Sequence, residues 1–112
     1  MAKKISLEKI KKNIKEYSQI LKADGLPIEK IVLYGSYAKN TPHGDSDIDI
    51  CVVSSKFGKD PHEDGKYLFR KLWKLKNANL EPIGYSPKDF YNKRKISPLL
   101  NEIKKNGIEI KI

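Results

Sequence analysis

Cysteine, arginine and long apolar runs are all scarce in this chain, and each shortage removes a class of explanation. The single cysteine, Cys51, excludes an internal disulfide and a cysteine-rich zinc site. No apolar run approaches the roughly 20 residues that a membrane-crossing helix requires. Two lysines stand near the N-terminus with no apolar stretch behind them, so a secretory leader is not expected and a cytoplasmic setting is the default. Only Arg70 and Arg94 among the 23 basic residues are arginine. Bidentate reading of base edges is poorly provided for, which disfavours sequence-specific nucleic-acid binding. A length of 112 residues predicts one domain, 1–112, with a real but modest core.

Lysine is abundant, and it is unevenly spread. The net charge is +9, yet residues 31–64 hold only three lysines against six acids. Residues 1–30 have eight lysines against four acids, and residues 65–112 have twelve basic residues against four acids. An acidic island therefore interrupts a basic chain. That pattern suits a polyphosphate ligand, whose charge is favoured both by metal ions at the carboxylates and by surrounding lysines. It also suits nucleic acid, an acidic partner, or simple solubility.

The chain reads as alternating helices and strands. Ser6 can cap a helix whose apolar residues Leu7, Ile10, Ile14, Tyr17 and Leu21 recur at three- and four-residue spacing, until Gly25 and Pro27 stop it. The run "KIVLYG" (30–35) predicts a central strand, and residues 46–54 a second. Asp60 and Pro61 open a helix to about Lys76 with Leu68, Phe69, Leu72, Trp73 and Leu75 as its apolar face. "NLEPIGYS" (79–86) predicts a third strand, Ser97-Pro98 a last helix ending at Gly107, and "IEIKI" a half-exposed closing strand. The expected class is α/β or α+β, with helices against a small sheet.

Within the island, "GSYAKNTPHGDSDIDICVV" (35–53) concentrates the chemistry. Strand alternation sends Asp47, Asp49 and Cys51 to one face and Ile48, Ile50 and Val52 to the other. Two aspartates spaced so can converge on one Mg²⁺ or bracket two ions roughly 3.5–4 Å apart, and hard oxygen donors select Mg²⁺ or Mn²⁺ over zinc. A turn alone does not call for Asp-x-Asp entering an apolar strand, whereas Asp45 reads as a turn-shaping residue. Gly35 and Ser36 follow the first strand directly. Glycine there allows a sharp turn and a close phosphate approach, and the free N–H groups of a following helical turn form an anion site. The pattern is neither a Walker loop nor a dinucleotide fingerprint.

Together these parts resemble the signature of the DNA-polymerase-beta-type nucleotidyltransferases, Gly-Ser followed about ten residues later by Asp-x-Asp on the next strand. Among them the chain looks most like the minimal, antitoxin-type nucleotidyltransferases that pair with small helical HEPN proteins. The resemblance implies a nucleotidyltransferase core, a small mixed β-sheet with helices packed against it. It places nucleotide phosphates at Gly35 and Ser36, metal at Asp47 and Asp49, and a third carboxylate on the neighbouring strand. Glu81 stands where that third acid is expected, as catalytic base or further metal ligand, with Asp89 as its rival. Where the family motif continues with arginine and glycine, this chain has Lys39 and Asn40. Lys39 keeps a charge for the phosphates but not the forked donor. The implied activity is Mg²⁺-dependent transfer of AMP from ATP to a hydroxyl of a partner protein, as the antitoxin of a HEPN-type pair. The alternatives are a non-catalytic nucleotide- and partner-binding antitoxin and a basic nucleic-acid-binding protein. Self-association is the alternative to a HEPN partner. His43, His62 and Cys51 are read as structural or solvated side chains.

Overall fold

Helix α1 (Leu7–Ala23) forms where the apolar spacing predicts it. The Ser6 hydroxyl accepts a hydrogen bond from the Lys9 N–H at 3.2 Å, and Ile10, Ile14, Tyr17 and Leu21 are buried along one stripe. Leu7, at the helix start, is exposed instead. The computed structural model describes residues 6–39, 47–75, 79–94 and 97–112. After α1 the chain forms β1 (Ile28–Tyr34), β2 (Ile48–Ser54), α2 (Pro61–Lys71), a 3₁₀ turn (Leu72–Lys74), β3 (Leu80–Tyr85), α3 (Pro87–Phe90), α4 (Pro98–Asn106) and β4 (Ile108–Ile110). Among the described residues no helix is long and apolar enough to cross a membrane.

The four strands make one mixed sheet in the order β3-β2-β1-β4. β1 runs antiparallel to both β2 and β4, while β2 and β3 are parallel. β1 is therefore a central strand, as its unbroken apolar run requires. One sheet face presents Ile31, Leu33, Ile48, Ile50 and Val52 to α1 and α2, and this layer holds the main core. The Tyr17 hydroxyl crosses it to donate to the Leu68 carbonyl at 2.6 Å. The opposite face presents Val32, Cys51 and Val53 to Phe90 of α3 and to Leu100 and Ile103 of α4.

Element boundaries differ from the sequence reading, most in β2 and α2. β2 begins at Ile48, whose N–H donates to the Asn79 carbonyl at 2.7 Å and so opens the ladder with β3. Asp47 stands at the strand entry, exposed. α2 ends at Lys71, and its apolar face is narrower than the composition suggests. Leu68 is buried and Leu72 and Leu75 are packed against the same core. Phe69 and Trp73, each one 100° step further round, are 62% and 82% exposed.

Edge strand β3 contains Pro82. Because Asn79 accepts from Ile48, alternate residues Glu81, Ile83 and Tyr85 turn their backbone groups toward β2. Leu80, Pro82 and Gly84 therefore turn theirs to the free edge. Proline sits where its missing N–H costs no ladder bond.

Candidate active site

The sheet register builds the site. Tyr34 of β1 pairs with Asp49 of β2, and Asp49 pairs with Glu81 of β3. Partners in a ladder point to the same face, so Tyr34, Asp49 and Glu81 form a row across three strands. The next row, Val32, Cys51 and Ile83, contributes to the layer that α3 and α4 cover. Asp47 lies two residues before Asp49, at the end of the sheet beyond that row.

At the end of β1, Gly35 adopts φ +77°, a conformation that L side chains rarely take. A Cβ there would collide with the Asp49 carboxylate. The glycine thus serves both the turn and the approach of β2. Residues 36–39 continue as a turn in which the Lys39 N–H donates to the Gly35 carbonyl at 3.2 Å. That is one turn of helical geometry, and it leaves the earlier amide groups available to an anion. The Lys39 ammonium pairs with the Glu102 carboxylate of α4 at 2.6 Å, tying the Gly-Ser turn to that helix.

Electrostatics follow from crowding. Burial, followed by the charge of Asp47, holds the Asp49 carboxyl above its ordinary pKa. Glu81 is raised as well, first by desolvation, then by a side-chain hydrogen bond with Asp47 and the charges of Asp49 and Asp47. Asp49 and Glu81 are costlier to ionise because burial strips solvent from them and neighbouring carboxylates repel the new charge. The Tyr34 phenol is raised by burial and then by Asp49, Cys51, Glu81 and Tyr85, which share its sheet face. Burial pushes the Cys51 thiol up to about 12, so it is no thiolate nucleophile at neutral pH.

The structure brings Asp47, Asp49 and Glu81 together at the strand ends, beside Gly35 and the turn that starts at Ser36. Among the described residues no three His, Cys, Asp or Glu side chains are drawn into a ready metal cage. A hard divalent ion does not require one, since Mg²⁺ commonly takes one or two carboxylates and completes its sphere with phosphate oxygens and water. Three crowded carboxyl groups, two of them raised by burial and then by their neighbours, fit such an ion because its charge offsets both the lost solvation and the repulsion. Asp89 lies elsewhere, in α3, with a carboxylate oxygen 3.1 Å from where a Cβ on Gly58 would stand. Asn40, His43 and Asp45 fall outside the described residues. Tyr34 and Glu102 are the site residues that sequence reasoning did not single out. Tyr34 becomes visible once the β1–β2 register is known, whereas no local pattern points to Glu102.

This architecture, a mixed sheet with an Asp-x-Asp strand entry beside a Gly-Ser turn and an acid on the adjoining parallel strand, is that of a nucleotidyltransferase core. The nucleotidyltransferase domain family matches residues 7–110, and the chain belongs to that family. No curated protein matches it. Among solved structures it is similar to a toxin–antitoxin chain crystallised with AMP-PNP, at 24% identity and a TM-score of 0.60, covering 90% of this chain and 72% of that one. A protein from Sulfolobus solfataricus assigned as a nucleotidyltransferase matches at 16% identity and a TM-score of 0.59, over 90% and 78% of the two chains. A third match lies in the complex of a tri-AMPylated Shewanella oneidensis HEPN toxin with its MNT antitoxin, at 22% identity and a TM-score of 0.53, over 88% and 69%. At these identities the likeness to solved structures establishes the fold.

Proposed function

We propose that this chain transfers AMP from ATP to a hydroxyl of a partner protein, and that the partner is a HEPN-type toxin which it thereby neutralises. The carrying observation is the order of groups across the sheet. Gly35 and its turn stand on β1, Asp49 on β2 and Glu81 on β3. Adjacent strands are about 4.8 Å apart, so the phosphate turn and Glu81 flank the aspartates with roughly 10 Å between them. That span accommodates a triphosphate on one side and an attacking hydroxyl on the other. The similarity to antitoxin-type chains, one of them with AMP-PNP and one beside an AMPylated toxin, supports ATP as donor and a HEPN protein as acceptor.

Asp47 and Asp49, with Glu81 adjoining, would hold Mg²⁺, which when bound would neutralise charge on the phosphates. The free amide groups of the turn that starts at Ser36, and the Ser36 hydroxyl, bind the phosphate oxygens. The acceptor oxygen forms a bond to the α-phosphorus while the bond to pyrophosphate breaks, and Glu81 orients the hydroxyl and receives its proton. Lys39, paired with Glu102 beside the turn, supplies positive charge near the phosphates. The protein should be co-expressed with its genomic neighbour and supplied with ATP labelled in the α-phosphate. Label on the neighbour, lost in Asp49→Asn, supports the proposal. Nucleotide binding without any labelled product would leave a binding-only antitoxin.

A further inference from the structure

A cleft of about 490 Å³ runs along the free edge of β3 and plays no part in the chemistry described above. Pro82, Ile83, Gly84 and Tyr85 form its floor, with α2 on one side and α4 on the other. We propose that this cleft binds an extended segment of the acceptor polypeptide, one that places a lysine or arginine four to six positions from the hydroxyl to be modified. The inference rests on the transferase reading for its acceptor, but on separate residues for its binding.

Three observations converge on this occupant. The first is continuity: Pro82 and Ile83 directly follow Glu81, the group placed at the acceptor side, so a chain lying in the cleft ends at the site. The second is the backbone. Pro82 and Gly84 turn their carbonyls outward, and Gly84 also its N–H, so an extended segment can add to the sheet edge. Pro82 withholds one donor, which weakens pairing with an arbitrary strand and leaves side-chain contacts to choose the partner. The third is charge. In a chain of net charge +9, this cleft is lined by the carboxylates of Asp64 and Asp89.

Both acids meet at Gly58. The Gly58 N–H donates to Asp64 Oδ2 at 2.9 Å, and Asp89 Oδ2 lies 3.1 Å from the position of a Cβ on the same glycine. Ser86, which follows β3, is closer still, with its Oγ 2.9 Å from that point. Neither aspartate forms a salt bridge with a described residue. From Glu81 to Ser86 an extended chain covers about 16 Å at roughly 3.3 Å per residue. A basic side chain paired at Gly58 therefore belongs about five residues from the acceptor. Leu99, 43% exposed in the first turn of α4, and Tyr85 supply apolar contact between the two ends.

The test uses fluorescein-labelled dodecapeptides with one tyrosine and an arginine five positions before or after it, each matched by a peptide with glutamate in place of arginine. Anisotropy should show the arginine peptide of one polarity binding about ten-fold tighter than its glutamate counterpart. Asp89→Asn should reduce that preference several-fold, and Leu99→Ser should weaken arginine and glutamate peptides alike, while Mg²⁺–ATP affinity stays unchanged. Equal binding of all four peptides by the parent, or a preference untouched by Asp89→Asn, overturns the proposal. So does concentration-dependent dimerisation that Leu99→Ser abolishes, because a second copy would then fill the cleft. AMP transfer to the peptides is read separately. Preference in binding without transfer upholds the cleft and counts against the transferase reading, and transfer without preference does the reverse.

Discussion

Gly35→Ala is the sharpest probe of how the turn and the carboxylates depend on each other. Gly35 holds φ +77° and Gly25 holds φ +85°, so alanine at either position adopts a left-handed backbone at a cost of about 1–2 kcal/mol. The two sites differ in their surroundings. Around Gly25 a Cβ meets nothing within 4 Å, whereas at Gly35 it collides with the Asp49 side chain. Asp49 must then leave its rotamer, which adds about 0.5–1.5 kcal/mol. Gly35→Ala should therefore lose about 1.5–3.5 kcal/mol and Gly25→Ala only the backbone share. The melting temperature should fall by roughly 6–15 °C for the first and about half that for the second. Thermal melts without metal give the stability difference, and titration of Mg²⁺–ATP gives the functional one. Only Gly35→Ala should lose nucleotide affinity, and by more than Ser36→Ala, which removes a single hydrogen bond of about 0.5–1.5 kcal/mol. If the two glycine variants melt alike, and Gly35→Ala binds nucleotide like the parent, the coupling between turn and carboxylate is refuted.

Asp47→Asn and Asp49→Asn should each abolish Mg²⁺-dependent nucleotide binding, measured by calorimetry, while metal-free stability holds or rises because one like charge has gone. Glu81→Gln should lower the AMP-transfer rate by about 10²–10⁴-fold with nucleotide affinity within a few-fold, as expected of a general base; collapse of affinity would make Glu81 a metal ligand first. The same variant gives a pH signature in EDTA. Glu81 is raised in the folded chain, so its contribution is fully present below the ordinary carboxylate range near pH ~4 and is lost as pH rises through the raised value. Glu81→Gln should match the parent at the acid end and melt at a higher temperature above that window, and a gap independent of pH would contradict the crowding described here.

Local chemistry determines much of this protein. The three- and four-residue spacing of Ile10, Ile14, Tyr17 and Leu21 specifies a helix with one buried stripe, because a helix returns to the same face at that interval. Alternation along residues 47–53 separates carboxylates from core for the same kind of reason, with a period of two. Gly35-Ser36 followed by Asp47 and Asp49 made the site legible because all four residues lie on two consecutive strands and their intervening turn. Distant neighbours were decided only by tertiary structure. That Asp49 stands between Tyr34 and Glu81 depends on two ladder registers, and a one-residue slip in either would turn the partner to the opposite face. The exposure of Phe69 and Trp73 depends on how α2 and the 3₁₀ turn after it lie over the sheet, since periodicity puts both on the same apolar face as buried Leu68. The pairing of Lys39 with Glu102, 63 positions away, and the meeting of Asp64 and Asp89 at Gly58 follow from layer packing. Periodicity records which side of its own element a residue occupies, and only the packing of elements settles what it faces.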